Sequence, residues 1–399
     1  MKLLVIGHTA HYMRDGQWVG WGPTVKEVNW LAQAFDEIIH LACLHTIEAP
    51  ESALAYETEA VHLRLVPPAG GLHLRDKLKV ITLAPRYIVT ILRAIQEADV
   101  IQVRSPSALA MYAMIILAFL PQKPRWVKYA GNWMESNRTP ISFAFQRWWL
   151  RHGLSRGPVT VNGHWPGQPK HVYSLDNPSF SLDDLRIADK LCANKHISPP
   201  IRLVFIGRLE KGKGAGRALK ILGELTQAID VHLDIIGDGL ERVALEQLRN
   251  TMGLEEKVTF FGWLSHDRVK DHLKDAHFIL LPSDSEGWPK VLSEAMAYGV
   301  VPVASNVSAI PQIIAETQCG FSLPIEDIKG FIDTILQTSK DPVMWKQHSL
   351  AGMKAAPRFT YEQYLLALDH MFMTAYGSSP MNQNLLGQLQ KQLDNFYQG

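Results

Sequence analysis

HFILLPSDSEGWPKVLSEAMAYGVVPVAS (277–305) reads as strand, loop, helix and second strand. HFILLP (277–282) is a short apolar run with the look of a buried strand, and Ser283, Asp284 and Ser285 fill the loop behind it. Pro289 suits the first helical position, where its missing N–H costs nothing, and Gly299 supplies a stop just past the end. The pattern predicts a helix over 289–298. Its N-terminal end at Gly287, Trp288 and Pro289 carries free N–H groups and the positive end of the dipole, a setting for phosphate. Glu286 lies in the loop beside that end. Glu294 follows five residues after Pro289, roughly 7–8 Å along the axis at ~1.5 Å per residue. Three readings of the two carboxylates stay open here: a nucleotide-sugar site, a glycosidase acid/base pair at roughly 5–9.5 Å, or two solvated residues.

Outward from this stretch the same alternation repeats. IRLVFIG (201–207), VHLDIIG (231–237) and KVTFFG (257–262) are strand-like, with helical segments at 214–228, 240–253 and 266–274 between them. The N-terminal half shows KLLVIG (2–7), a glycine-rich loop through Gly16, Gly20 and Gly22, a helix over 24–36, and strands at 38–44, 98–105, 125–131, 158–163 and 170–178. Strands alternating with helices predict parallel, doubly wound sheets covered on both faces. Two such halves predict an α/β chain of two Rossmann-like domains, with ligands in a cleft at the carboxyl ends of the strands. The expected boundaries are 1–178 for the first domain, a polar linker at 179–200, and 201–358 for the second. A closing helix is expected at 359–377. The tail at 378–399 spaces Leu385, Leu386, Leu389, Leu393 and Phe396 as a helix would, and reads as a docking helix or a loosely packed end.

At 207–214 the sequence GRLEKGKG falls after a strand and before a helix. It is one residue short of a P-loop, whose next position must be Ser or Thr to hold magnesium and is here Gly214. With HFILLPSD posing as a Walker B strand ending in Asp284, a P-loop NTPase is an alternative that lacks one metal ligand. The other reading sets Arg208 and Lys213 as fixed cations on a diphosphate, neutralising charge that develops as a phosphate leaves. Gly237, Asp238 and Gly239 form a tight-turn element with no chemistry of its own.

Composition bounds the chemistry. The 399 residues are 47% hydrophobic and 20% charged, with formal net charge +1, so nothing global points to nucleic acid. The odd and scattered Cys43, Cys192 and Cys319 suggest a reducing cytoplasm without disulfides. None of the sixteen histidines makes a metal-ligand spacing, and no metal is expected; His8 and His11 read as loop residues. MKLLVIGHTAHYMRDG breaks its apolar run too early for a signal peptide. The longest apolar stretch, 108–120, is too short for a bilayer span of about 20 residues and reads as a buried helix.

The run SEGWPKVLSEAMAYGVVPVAS resembles the donor-site signature of family 4 glycosyltransferases (glycosyl transferases group 1), which have the GT-B fold. Glu286, Gly287, Glu294, Ala295, Met296, Ala297, Gly299, Pro302 and Val303 carry the likeness, with Arg208 and Lys213–Gly214 in the places of the family's Gly-Arg-Leu and Lys-Gly. The resemblance covers about 200–375. It implies metal-independent transfer, with retention, of a hexose-type sugar from a UDP- or GDP-linked donor. Glu286 would meet the sugar hydroxyls and Glu294 the ribose. The segment Gly287, Trp288, Pro289, Lys290 and Val291 would hold sugar and phosphate, and Gly22 would approach the diphosphate from the other domain. It implies also that the last helix crosses back onto the N-terminal domain. The leaving phosphate oxygen would take the acceptor proton, leaving the protein to position and to stabilise charge. A non-catalytic nucleotide-sugar-binding subunit or an epimerase of the same fold would keep the same residues.

The chain departs from the family at three places. WVKYAGNW (126–133) lacks the family's His and offers Asn132 as a hydroxyl ligand on the acceptor side. Ser308–Ala309–Ile310–Pro311–Gln312 replaces a Gly-Gly-x-Pro-Glu element, and bulky Trp288 replaces a small residue. On a helix over FQRWWLRHGLSR (145–156), Phe145, Trp148 and Trp149 lie together and Arg147 and Arg151 share an adjacent face. That pairing suits a monotopic contact with anionic lipid at the inner face of the membrane, or else an ordinary helix with tryptophans in the core and arginines in water. The first alternative would suit a glycan or lipid-linked acceptor in surface polysaccharide or glycolipid assembly.

Overall fold

The computed structural model describes residues 1–70, 74–121, 123–134 and 140–398, with the backbone alone over 74–77. The chain forms two compact units, Met1–Asp176 with Tyr361–Gly399, and Asn177–Thr360. In chain order the first unit holds β1 (Lys2–Arg14), β2 (Gln17–Trp21), α1 (Gly22–Ala34), β3 (Glu37–Leu44), β4 (Ala53–Ala55) and β5 (Val61–Val66). Next come α2 (Leu74–Thr82), α3 (Ala84–Glu97), β6 (Val100–Ser105), α4 (Ala108–Phe119), β7 (Arg125–Tyr129), α5 (Ile141–Arg151), β8 (Val159–Val161) and β9 (Val172–Ser174). Parallel pairing runs β5-β3-β1-β6-β7-β8-β9, with β2 and β4 added antiparallel.

β1 does not stop at Gly7. It runs on to Arg14, and Asp15 and Gly16, at φ 50° and 78°, close a two-residue hairpin that pairs Arg14 with Gln17. Asp-Gly tolerates both left-handed positions, and their twist matches that of the flanking strands. The expected glycine-rich loop is therefore a hairpin, and His8 and His11 are strand residues. His11 is buried; its Nδ1 donates to the Thr9 carbonyl at 3.1 Å, so Nε2 accepts from the Tyr56 hydroxyl at 2.8 Å. Burial pushes its pKa down to about 4, which keeps the ring neutral.

The second unit holds α6 (Leu182–Cys192), β10 (Ile201–Ile206), α7 (Ala215–Leu225), β11 (Val231–Ile236), α8 (Arg242–Thr251), β12 (Val258–Gly262) and α9 (His266–Asp275). It continues with β13 (Phe278–Leu281), α10 (Lys290–Ala297), β14 (Val301–Ser305), α11 (Ile310–Thr317), β15 (Phe321–Leu323), α12 (Ile328–Lys340) and α13 (Pro342–Ala355). The parallel sheet order is β12-β11-β10-β13-β14-β15. The chain starts at the centre, winds one way to β12, and then reverses across β10 to β13. One sheet face buries Leu203, Phe205, Leu233, Ile235, Phe278 and Leu280 in a core shared with α7 and α12. At roughly 1.5–3 kcal/mol per buried large side chain, this face alone holds the strands in order.

The stretch expected to be a linker, 179–200, contains α6 instead. Ser181 and Asp184 form a reciprocal capping box at its start, and Leu182, Leu185, Ala188 and Cys192 are buried. The Cys43, Cys192 and Cys319 thiols are all free and buried.

After Thr360 the chain returns to the first unit as α14 (Tyr361–Tyr376) and α15 (Gln383–Gln398). Tyr364, Leu365, Leu368 and Phe372 of α14 join Leu3, Val5, Val28 and Trp126 in one core cluster. The tail is ordered: Leu386, Leu389 and Leu393 of α15 are buried, and α15 packs on α14 and α1. Among the described residues, no helix is long and apolar enough to cross a membrane.

Candidate functional site

The reversal between β10 and β13 opens a crevice at the carboxyl ends of those strands, where no helix crosses. The loop after β10 carries Arg208 and Lys213; the loop after β13 carries Asp284 and Glu286. Lys213 and Glu286 are thereby brought together across 73 residues. The Lys213 ammonium donates to both Glu286 carboxylate oxygens at 2.8 Å. Glu286 is only 9% exposed, so this cation is what makes its charge tolerable there.

Backbone and side chains lock the two loops together. The Asp284 N–H donates to the Gly212 carbonyl at 2.8 Å, and the Ser283 hydroxyl to the Lys213 carbonyl at 3.2 Å. Arg217, at the start of α7, donates to the Pro282 carbonyl at 2.7 Å and to Asp284 at 2.8 Å. Gly214, at φ 83°, lies hard against the Pro282 carbonyl, where a Cβ would collide with it. The Ser or Thr of a P-loop has no room at that position, so the NTPase reading fails on geometry.

α10 starts at Lys290, with Pro289 one residue ahead as its cap residue at ψ 107° and no side chain bonded to the helix end. The helix is one residue shorter at its start than the proline rule predicts. Its cap residue, a proline, offers the first N–H groups no side-chain bond. Ser308, at φ 53°, donates to the Gly287 carbonyl at 2.9 Å and fixes the glycine from the far side. The Lys290 carbonyl accepts from Ser293 at 2.8 Å, and Val291 is partly exposed in the first turn.

Other expected residues fall differently. Arg208 is exposed and pairs with Glu210 at 3.1 Å rather than with the buried carboxylate. Trp288 is 7% exposed and stacks on Phe359, with centroids 5.1 Å apart and planes 9° from parallel. Its indole packs inside the unit, and only its backbone is left to face a ligand. Glu294 lines a narrow crevice between α6, α9 and α10 with Phe180, His266, Lys270 and Tyr298. His266, Lys270, Arg217 and Ser308 were not expected at a site. Arg217 lies on α7, His266 and Lys270 one turn apart on α9, and Ser308 in the loop after β14, so no single stretch of sequence signals them.

In the first unit, Gly22 opens α1, and a Cβ there would press on the Ser52 carbonyl and the Leu54 side chain. Close packing alone therefore requires glycine at 22. The Asn132 side-chain carbonyl accepts from the Met134 N–H at 3.0 Å, a local turn bond. Arg147 and Arg151 do not point to solvent as a lipid-facing pair. Arg147 is buried and donates to the Asn132 and Met134 carbonyls, while Arg151 donates to the Trp133 carbonyl and lies over its ring.

A separate cavity of about 570 Å³ lies along β11 and β12, lined by His232, Asp234, Thr259 and His272 among others, and it contains none of the residues above. Asp234 is bracketed there by His272 at 2.8 Å and His232 at 3.4 Å. Among the described residues, no group of three His, Cys, Asp or Glu side chains is arranged to hold a metal ion.

Two α/β units with parallel sheets define the class of the molecule: the fold is that of the GT-B glycosyltransferases. Sucrose-phosphate synthase from Thermosynechococcus elongatus matches 94% of this chain and 98% of its own at TM-score 0.68 and 16% identity. HepE of Anabaena, solved with UDP and glucose, matches 94% of this chain and all of its own (100%) at TM-score 0.64 and 16% identity. At such identities the likeness speaks for the fold alone. In sequence, residues 192–355 match the family described as glycosyl transferases group 1. N-acetyl-alpha-D-glucosaminyl L-malate synthase of Bacillus anthracis is 30% identical over 162 residues, 41% of each chain. The gpi3 subunit of phosphatidylinositol N-acetylglucosaminyltransferase of Schizosaccharomyces pombe is 30% identical over 128 residues, 32% of this chain and 28% of that one. The chain thus matches well under half the length of these relatives, and the family match at 192–355 lies in the unit that holds Lys213 and Glu286.

Proposed function

We propose that this chain is a glycosyltransferase that takes a sugar from a nucleotide-diphosphate donor bound at the β10/β13 crevice. The observation that carries the reading is the Lys213–Glu286 pair, held at 2.8 Å between two locked loops beside the uncapped start of α10. A diphosphate arriving there competes for the Lys213 ammonium and meets the α10 N–H groups. Arg208 turns from the exposed Glu210 to the same phosphates. Released from Lys213, the Glu286 carboxylate accepts hydrogen bonds from the donor sugar hydroxyls, while Glu294 takes the ribose. Positive charge held in place at the leaving phosphate favours bond cleavage without a metal. Retention, a hexose-type sugar and a glycan or lipid-linked acceptor complete the reading, in line with the family resemblance. The names of the relatives, N-acetylglucosaminyl transferases among them, make UDP-linked sugars the first donors to try.

Calorimetry with UDP-, GDP- and ADP-sugars in the presence of a chelator tests this. One donor is expected to bind at micromolar affinity, weakened by at least about tenfold (about 1.4 kcal/mol) in Glu294→Ala and in Lys213→Ala. If no nucleotide sugar binds the folded protein, the proposal falls.

A further inference from the structure

α5 buries two polar residues and exposes three large apolar ones. Of its polar residues, Gln146 is buried and accepts from the Ser105 hydroxyl at 2.9 Å and the Ser107 N–H at 3.1 Å. Arg147, also buried, is spent on the two loop carbonyls described above. Leu150 is buried and Trp149 packs on the core, but three other large apolar residues face out, with Ile141 89%, Phe145 37% and Trp148 49% exposed. These positions fall four and three residues apart, which places them on one face of the helix. Phe145 and Trp148 stack on each other at 6.0 Å, so the face is a continuous apolar stripe. A protein that turns Gln and Arg inward and Ile, Phe and Trp outward on one helix has an apolar environment waiting outside.

The charge of this part of the sequence says which environment. Between Asp99 and Asp176 the sequence holds one carboxylate, Glu135, against nine lysines and arginines. The rest of the chain carries 31 basic and 38 acidic side chains. Arg104 and Lys128 are answered by buried Glu27, whereas Arg125 and Arg147 are held by carbonyls among the described residues. Arg125 donates to the Leu117, Pro121 and Lys123 carbonyls. Arg156 and Lys170 are exposed, and the His171 ring is bonded to the Leu150 carbonyl, which sets Lys170 beside the C-terminal end of α5.

We propose that the outer face of α5 seats this protein on an anionic lipid bilayer. Ile141, Phe145 and Trp148 enter the boundary between headgroups and acyl chains, where an indole is well accommodated, and Arg156 and Lys170 meet lipid phosphates. The contact differs from the one the sequence suggested, since Arg147 and Arg151 build the helix seat rather than touch lipid. It rests on this surface alone and is independent of the donor-site reading.

Cosedimentation of the full chain with vesicles of phosphatidylcholine, and of phosphatidylcholine mixed with phosphatidylglycerol, tests the proposal. Binding is expected to the anionic vesicles, to weaken with added salt, and to fall by about tenfold or more in Ile141→Ser/Trp148→Ser. Both side chains are outward, so the variant is expected to melt with the wild type. Arg156→Gln/Lys170→Gln is expected to lose the preference for anionic lipid. A wild type that stays in solution with both vesicle types overturns the proposal, as does a serine variant that sediments like wild type. So does a lipid-independent dimer in ultracentrifugation that the serine variant dissociates, for the stripe would then be covered by a second copy.

Discussion

Glu286 shows how a site residue is held before any ligand arrives. Its carboxylate is nearly buried and answered by one ammonium. Lys213→Ala is expected to cost about 1–3 kcal/mol in denaturant unfolding, because it strands a charge in a poorly solvated place. Adding Glu286→Ala is expected to return most of that stability while leaving the protein inactive; a double variant no better than Lys213→Ala would mean the two do not share the penalty. Trp288 makes the opposite case. A tryptophan inside a donor signature invites a sugar-stacking role, yet its ring lies on Phe359. Trp288→Ala is therefore expected to lose about 3–5 kcal/mol of stability, with Trp288→Phe keeping most of it. Unchanged stability with lost donor affinity would restore the stacking role. Neither the pairing nor the packing was legible, since the partners stand 73 and 71 positions away in the chain.

At the scale of elements, α6 was misread although its signal was present. Ser181-x-x-Asp184 ahead of an apolar repeat is a capping box, and the polar flanks concealed it. Asp184 does more than cap. Burial would raise its carboxyl, but hydrogen bonds from Lys270 and Ser181 outweigh this and set it at about 2. A folded-state pKa below the unfolded 3.8 adds stability that is fully present above about pH 4 and is lost as pH falls toward 2. The contribution is about 2 kcal/mol. Asp184→Asn is expected to lower stability at neutral pH by about that amount and to flatten the acid limb of a stability–pH curve between pH 4 and 2. An unaltered acid limb would assign the shift elsewhere. The Asp15–Gly16 hairpin is a second signal legible in the chain.

At the scale of the whole molecule, the first unit is closed by the last segment of the chain. Fully buried Glu27 of α1 accepts from Arg104 and Lys128 at 2.7 Å each and from the Tyr364 hydroxyl of α14 at 3.3 Å. The contacts tie a helix from each end of the sequence to the ends of β6 and β7. Glu27→Ala, which leaves two cations buried without their carboxylate, is expected to cost about 3–5 kcal/mol, read as a lowered unfolding midpoint. Ending the chain at Thr360 uncovers Trp126, Leu3 and Val5 and is expected to yield an aggregating N-terminal unit. The contiguous 177–360 segment is expected to fold alone and to melt cooperatively. A truncated chain that stays monomeric with native spectra would show that α14 is dispensable.

Strand and helix alternation, the two doubly wound sheets and the donor-like signature were all readable in the chain, because period, turn chemistry and caps are local properties. So was the shift toward basic residues between 99 and 176, of which the structure leaves Arg156 and Lys170 exposed. The folded structure alone decided that Lys213 answers Glu286, that Trp288 packs inward, and that α5 turns Arg147 in and Trp148 out. Those outcomes depend on which residues the sheet order brings within a few ångströms, and distance in space is not written in distance along the chain.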